Sequence, residues 1–591
     1  MNRIDYKRIQ TMKKQLQAAA GEIPFDLLID NIRLVDVYTK EIRDNSSIGV
    51  YNGRIVAIDP EAPKYLKKID GKGRFAVPGF IDSHVHIETT LLTPEALGEA
   101  IAPWGTTTMM LDAMEIANVA GKEGLEALVD DADSLPFRTY LQIPSRVPTA
   151  PGMETTGGIL GAREVSELMD RQNSVSLGEM DPSKILQYRD EYIEKILSTL
   201  DRRKLCNGHA IGLSKQELNV YASGHLADDH ECVTFEELRD RLRVGMCIFI
   251  REGSSERNAR RLLSGVLEHD LPTDSLMFCT DDKHVQDIVR EGHISYNVQI
   301  AVDLGMDPVT AITIATLNAA RHFHMEEYIG SITPGRYADI LLLDNLKIIR
   351  PSLVIKGGKI VADKGKAERI PVKIYSDALM NTVKLPDSLL EESFVIRSKG
   401  NEARCRVISL IKDQIINNRE EAWLPVKDDA VCIDLERDLL KLSIVERYGK
   451  NGRLSSAIVK GFSLKKGALA ASISHDHHNI VIVGTNDRDM LLAAKELQRV
   501  QGGVTCVCDN DVIATVPLPF GGLMSTLYMD DVISKMDVVN AAVAELGVTL
   551  RAPFMTLSFI SLPTVPELGL TDYGLIDVRR NQVIDLIMET R

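Results

Sequence analysis

No stretch of the 591-residue chain approaches the roughly 18 consecutive apolar residues that a membrane-spanning helix needs, so no membrane partner is expected. Basic blocks are missing too. Lys and Arg number 69 against 84 Asp and Glu, the net charge is −15, and a chain of that sign repels phosphate backbones, which sets nucleic acid aside as a partner. Cysteine is scarce: the eight, at Cys206, Cys232, Cys247, Cys279, Cys405, Cys432, Cys506 and Cys508, are too few and too irregularly spaced for a disulfide framework and read as reduced thiols. The pair Cys506 and Cys508 lies in an alternating run, Gly503-Val-Thr-Cys-Val-Cys, that fits a strand better than a metal knuckle. The first twenty residues are basic and helix-prone but lack the apolar centre of a signal peptide, so a cytoplasmic protein is expected. There is no internal repeat and no low-complexity tract. What is present is an ordinary globular composition, 44% hydrophobic and 26% charged, over a length that allows three or four domains or one large barrel with attachments.

The rhythm of the chain changes three times. After an N-terminal helix within residues 1–24, Phe25 to Pro60 reads as short strands broken by turns at Asp44-Asn-Ser-Ser and Tyr51-Asn-Gly-Arg. From about Phe75 to residue 329, strands alternate with amphipathic helices. Eight strands are predicted: Phe75–Ile87, Thr106–Leu111, Thr139–Ile143, Ser174–Gly178, Leu205–Gly208, Gly224–Ala227, Met246–Arg251 and Ser275–Thr280. Alternation of this kind means parallel pairing, and eight units close into a (β/α)8 barrel of the TIM type. Short strands return over 330–370, so residues 25–74 and 330–370 are expected to form one discontinuous small β domain flanking the barrel. A turn-poor stretch from Ile370 to Pro386 then leads to a separate C-terminal α/β domain over 385–591.

In such a barrel the active site forms at the C-terminal ends of the strands. Here those ends are consistent in chemistry. The first strand ends in His84-Val-His86-Ile-Glu88, and the i, i+2 spacing puts both imidazoles on one face, as two ligands of a single metal require. The fourth ends in Gly178-Glu179, the fifth in Gly208-His209, the sixth in Asp229-His230 and the eighth in Thr280-Asp281-Asp282. Unpaired charges at five strand mouths would be costly as packing. As ligands, His84, His86, Glu179, His209, His230 and Asp281 suit two divalent cations about 3.5–4 Å apart with a bridging carboxylate. Nitrogen and oxygen donors without thiolate fit manganese, iron or zinc.

The run Pro78-Gly-Phe-Ile-Asp-Ser-His-Val-His resembles the opening signature of the amidohydrolase superfamily. Ile143-Pro-Ser-Arg-Val-Pro, Gly178-Glu-Met, Asn207-Gly-His-Ala-Ile-Gly-Leu-Ser, Cys279-Thr-Asp-Asp-Lys-His and, near the end, Ser474-His-Asp-His-His-Asn together resemble the bacterial and archaeal adenine deaminase family. The resemblance implies hydrolytic removal of the 6-amino group of adenine at a two-metal centre, commonly assigned manganese or iron. By position it implies that His84, His86 and Asp281 hold one metal, that His209 and His230 hold the other, and that Glu179 bridges. Asp281 is then the candidate general acid/base, and Asp282 would accept a hydrogen bond from the purine edge. Either Glu88 or Glu115 would deliver the proton to the ring nitrogen, unless Glu88 only orients a ligand histidine.

Four positions depart from the family pattern. Asp112-Ala113-Met114-Glu115 stands where the family usually has Asp-Pro-His-Glu, Arg146 where it often has cysteine, and Ile211 where it often has proline. Met114 and Arg146 are therefore expected to line the substrate pocket, and a cationic Arg146 there would favour an anionic or more oxidised group. The alternative to adenine is a different purine-like heterocycle or a cyclic amide; a protein that binds purine or metal without turnover is the rival outside catalysis. His475-Asp476-His477-His478 reads equally as a further metal site, a reach over the barrel mouth, or a solvated turn. A homo-oligomer acting on a small purine base is expected.

Overall fold

The structure, a computed structural model, describes residues 6–129, 134–411, 417–564 and 567–591. A helix, Tyr6–Ala19, leads into the first sheet. Among the described residues that sheet has eight strands, in the order Lys366–Ala367, Lys359–Asp363, Pro351–Lys356, Ile340–Leu343, Tyr65–Pro78, Phe25–Asp36, Glu41–Tyr51 and Arg54–Ile58. Segments on either side of the parallel strands meet in it, where Ile340–Leu343 pairs antiparallel with the stretch from Phe75 to Pro78. Alternate residues Ile29, Ile48, Ile340 and Ile355 fill its core, as the period of two in a strand dictates.

That pairing corrects the strand expected from Phe75 to Ile87. Phe75 to Pro78 ends the antiparallel strand of the small sheet, and the parallel strand begins only at Phe80 and ends at Val85. The break falls at Pro78, which has no N–H to donate, and at Gly79, where a Cβ would overlap Thr107 Oγ1.

The parallel strands run Phe80–Val85, Thr106–Asp112, Arg138–Ile143, Ser174–Met180 and Leu205–Gly208 in one arc, and Asp228–Asp229, Cys247–Arg251 and Leu276–Cys279 in a second. Single bridges link the arcs at both ends, Cys206 with Leu226 and Val85 with Asp281. The result is a curled parallel sheet of eight strands in sequential order, with helices such as Pro94–Ile101, Ala162–Met169, Asp190–Asp201, Phe235–Arg243 and Ala259–Glu268 between them. The sixth strand differs from its expected position at Gly224–Ala227. Gly224 caps the helix Lys215–Ser223 and His225 adopts φ +62°, so extended backbone starts later and lasts only through Asp228 and Asp229.

Asp228 anchors that short strand. Its buried carboxylate accepts hydrogen bonds from Gly208 N (3.0 Å) and Asn207 Nδ2 (2.7 Å), and it pairs with His322 Nε2 at 2.8 Å. Burial alone would push the His322 imidazole down, but the bond to Asp228 raises it to about 9. A histidine pKa raised above its unfolded value of about 6.5 adds stability below that pH and loses it as pH climbs through the folded value. Thermal unfolding should therefore show a loss of about 3 kcal/mol between pH 6.5 and 9 assignable to this ring. His322→Gln should flatten that part of the profile, and an unchanged slope in the variant would contradict the assignment.

The C-terminal block centres on a second sheet, with ten strands among the described residues, including Glu402–Leu410, Leu439–Val445, Leu454–Lys460, Ile480–Gly484 and Gly503–Cys508. Helix Asp487–Arg499 packs Met490, Ala493 and Leu497 against it. The block does not float free of the parallel strands. One apolar cluster runs from Leu91 and Ile116 to Phe520 and Leu523, and Ser525 N donates to Leu91 O at 2.8 Å. On the loops after the third strand, Thr155 Oγ1 donates to Asp572 (2.6 Å) and Asn479 Nδ2 to Thr155 O (2.9 Å). These contacts lay the segment from Ser474 to Asn479 over the C-terminal ends of the strands.

Candidate active site

His84, His86, Glu179, His209, His230 and Asp281 converge at those strand ends, all buried. Backbone geometry brings the first and eighth strands together. Asp281 N donates to His84 O (3.0 Å) and Asp281 O accepts from His86 N (3.4 Å), with Asp281 at φ +55°, a left-handed conformation that aspartate tolerates better than most residues. Two glycines place the next ligands. A Cβ on Gly178 would overlap Asp112 Oδ2, the carboxylate that accepts from Glu179 N at 3.1 Å; a Cβ on Gly208 would overlap Asp228 O. Close approach of backbone is what glycine permits here. Gly208→Ala is expected to displace His209, lowering activity by at least about tenfold together with the melting temperature. Kinetics and a melting curve on the variant check this, and wild-type values for both would contradict it.

The imidazoles are oriented from behind. His84 Nδ1 pairs with Gln142 Oε1 at 2.6 Å and His86 Nδ1 with the Asp112 carbonyl at 2.9 Å, so each carries its proton there and turns Nε2 inward. His84 Nε2 has no hydrogen-bond partner and lies 3.8 Å from Glu179 Oε2 and 3.9 Å from Asp281 Oδ1; His86 Nε2 is 3.5 Å from the same Asp281 oxygen. On the other side Glu179 Oε2 meets His209 Nδ1 at 3.0 Å and His230 Nε2 at 3.1 Å. The ligand atoms fall into groups, each spanning less than 4.8 Å: His84, His86 and Glu179; Glu179, His209 and His230; His86, Asp281 and Asp282; His230, Glu231 and Asp281. Glu179 belongs to both histidine pairs.

The charges are consistent with cation ligands. Burial, then the neighbouring His230 and His86, push His84 down to about 3, which keeps it a neutral donor. Burial works against the Glu179 carboxylate, but Arg146 and His209 hold it well below its usual range. Asp281 is likewise pushed up by burial and pulled further down by Arg251, whose guanidinium touches Asp281 Oδ2 at 2.6 Å and Glu231 Oε1 at 2.7 Å. A buried nitrogen without a partner at His84 and a set of imidazole and carboxylate donors around shared carboxylates fit divalent cations.

A cavity opens above this cluster, lined by His86, Met114, Glu115, Arg146, Asp282 and, from the C-terminal block, His475. Met114 and Arg146 both line this cavity. Arg146, however, is surrounded by carboxylates: it pairs with Glu179 and faces Asp181 at 3.8 Å and Asp476 at 3.7 Å. Its charge is already matched, which removes the reason to expect an anionic substrate group beside it. Glu115 faces the cavity, with Oε2 3.3 Å from His86 Nδ1. Glu88 lies behind, Oε1 accepting from Ile116 N at 3.1 Å. The solvated-turn reading of His475-Asp476-His477-His478 is wrong: all four are buried, because the docked block packs them between its sheet and the strand ends. The contacts that Gln142, Arg251 and Phe559 make here depend on distant segments and leave no local spacing in the sequence, whereas the reach of His475 over the strand ends was among the readings the sequence allowed.

The amidohydrolase family model matches residues 75–363, and the fold and site together define a metal-dependent hydrolase of that class. The adenine deaminase C-terminal domain matches residues 414–582. An adenine deaminase of Desulforamulus reducens is 54% identical over 98% of this chain and 99% of its own length. Adenine deaminase 2 of Carboxydothermus hydrogenoformans is 37% identical, again over 98% of this chain and 99% of its own, and the adenine deaminase of Methanothrix thermoacetophila is 39% identical over 97% and 99%. The chain belongs to the adenine deaminase family.

Proposed function

We propose that this chain hydrolyses the exocyclic C6–N bond of adenine, consuming one water and releasing hypoxanthine and ammonia. The observation that carries the reading is Glu179 shared between two histidine pairs on the floor of a cavity that Glu115 and Asp282 also line. Relatives named as adenine deaminases over the full chain length supply the substrate. In this reading His84, His86 and Asp281 would hold one cation and His209 and His230 the other, with Glu179 shared between them. Manganese or iron suits the nitrogen and oxygen donors, with zinc also compatible. Divalent cations there would supply Lewis acidity that lowers the pKa of water from 15.7 to about 7.

The chain's own groups divide the remaining work. Arg251 keeps Asp281 ionised, so its carboxylate takes the proton of the attacking water and passes it to the departing amine. Glu115, rather than Glu88, is the group placed to pass a proton to the ring nitrogen, because Glu115 faces the cavity and Glu88 is tied to the Ile116 amide; against burial, His86 and His475 hold the Glu115 carboxyl ionised, so it takes up a proton before it passes one on. Asp282 hydrogen-bonds the purine edge. Burial, then the adjoining Asp281, raise its carboxyl, and it lines the cavity in reach of the purine edge.

Incubating manganese- or iron-loaded protein with adenine should release ammonia and hypoxanthine in equal amounts. No turnover of adenine by fully loaded protein would overturn the substrate assignment.

A further inference from the structure

His475 is the part of the site that neither the strand ends nor the ligand pattern explains. It comes from the C-terminal block, is 5% exposed, and lines the same cavity as Glu115 and Asp282. Its ring is held on three sides. The backbone N of His475 donates to Ser558 O at 3.0 Å, its ring stacks on Phe559 with centroids 4.8 Å apart and planes at 26°, and its Nδ1 meets Ser558 Oγ at 3.3 Å. Ser558 has already committed its hydroxyl proton to Met555 O at 2.8 Å, so the proton in the Ser558–His475 contact belongs to Nδ1. Nε2 is then the free atom. It is buried without a hydrogen-bond partner, and the nearest carboxylate oxygen, Glu115 Oε1, is 3.6 Å away, beyond a good hydrogen bond.

A buried ring nitrogen fixed in direction, with the 3.6 Å contact to Glu115 but no hydrogen bond, is placed to meet a ligand. We propose that His475 is a substrate-contacting residue whose Nε2 hydrogen-bonds a ring nitrogen of the bound purine base, which makes the C-terminal block part of the catalytic pocket. The inference rests on the purine reading of the preceding subsection and adds to it a specificity contact supplied by the second sheet. Glu115 and Asp282 group with a His475 ring nitrogen within 4.8 Å, so three polar groups converge on one heterocycle edge. The neighbouring Glu115 and Asp282 also raise the His475 pKa against the downward push of burial, which favours a protonated Nε2 donating to a ring-nitrogen acceptor.

The test compares wild type, His475→Leu and His475→Gln, all metal-loaded, with metal content and melting temperature measured on each. Leu keeps the volume and loses the donor; the amide of Gln reaches close to the Nε2 position. Removing one hydrogen bond to substrate should raise KM for adenine, and the inhibition constant of hypoxanthine, by about tenfold or more in the Leu variant. The kcat should change less than about threefold, and Gln should restore KM to within about threefold of wild type. An unchanged KM in the Leu variant alongside active wild type overturns the inference alone, as does loss of metal or a KM that Gln does not restore. Wild-type protein that turns over no adenine overturns the functional reading, and this inference with it.

Discussion

Replacing Glu179 by Gln is expected to leave fewer than two cations per chain and to lower kcat by roughly 10³ or more. The amide keeps the volume but withdraws the negative charge that two histidine pairs face, at 3.0 Å from His209 and 3.1 Å from His230. It also leaves Arg146, buried beside Glu179, with only the longer contacts to Asp181 and Asp476. Breaking one side of a buried ion pair costs about 3–5 kcal/mol, so the variant should melt earlier as well. Metal analysis and kinetics on one preparation check the prediction. Two bound cations with near-normal kcat would show that Glu179 is an ordinary buried ion-pair partner.

The second large effect is expected at Glu115. Glu115→Gln should lower kcat by about 10²–10⁴, the usual contribution of a general acid, while metal content stays at the wild-type value. Glu88→Gln should cost less than about tenfold, because its carboxylate caps the Ile116 amide and does not line the cavity. Equal losses in the two variants would remove the assignment of the proton to Glu115. The ring around Glu115 is informative here: burial pushes its carboxyl up, but His86 and His475 pull it below the ordinary range.

The two predictions draw on different kinds of legibility. Glu179 and His209 could be picked out of the sequence because each follows a glycine at the end of an apolar run, and the structure gives the reason: a Cβ at Gly178 or Gly208 would collide with Asp112 or Asp228. His84 and His86 carry a local signature of the same kind, two side chains on one face of a strand. The parallel strands were legible through alternation with helices, apart from the sixth. That strand is only two residues long, held by the carboxylate of Asp228 and not by a run of β-branched residues, so no periodicity marks it. Nothing in the sequence near Phe75 shows that its strand ends at Pro78 and starts again in another sheet, because the partner, Ile340–Leu343, is far along the chain. The same holds for the site. Arg251 and Gln142 touch Asp281 and His84 from other strands, and His475 reaches the cavity only because the C-terminal sheet docks over the strand ends. Long-range pairing leaves no local spacing to read.

The most direct test of the account is ammonia release from adenine measured against the number of divalent cations bound per chain, titrated into metal-free protein. The account predicts one ammonia per adenine consumed, with the rate rising to a plateau as occupancy reaches two per chain. Full activity in metal-free protein, or loaded protein that binds cations yet leaves adenine intact, would contradict it.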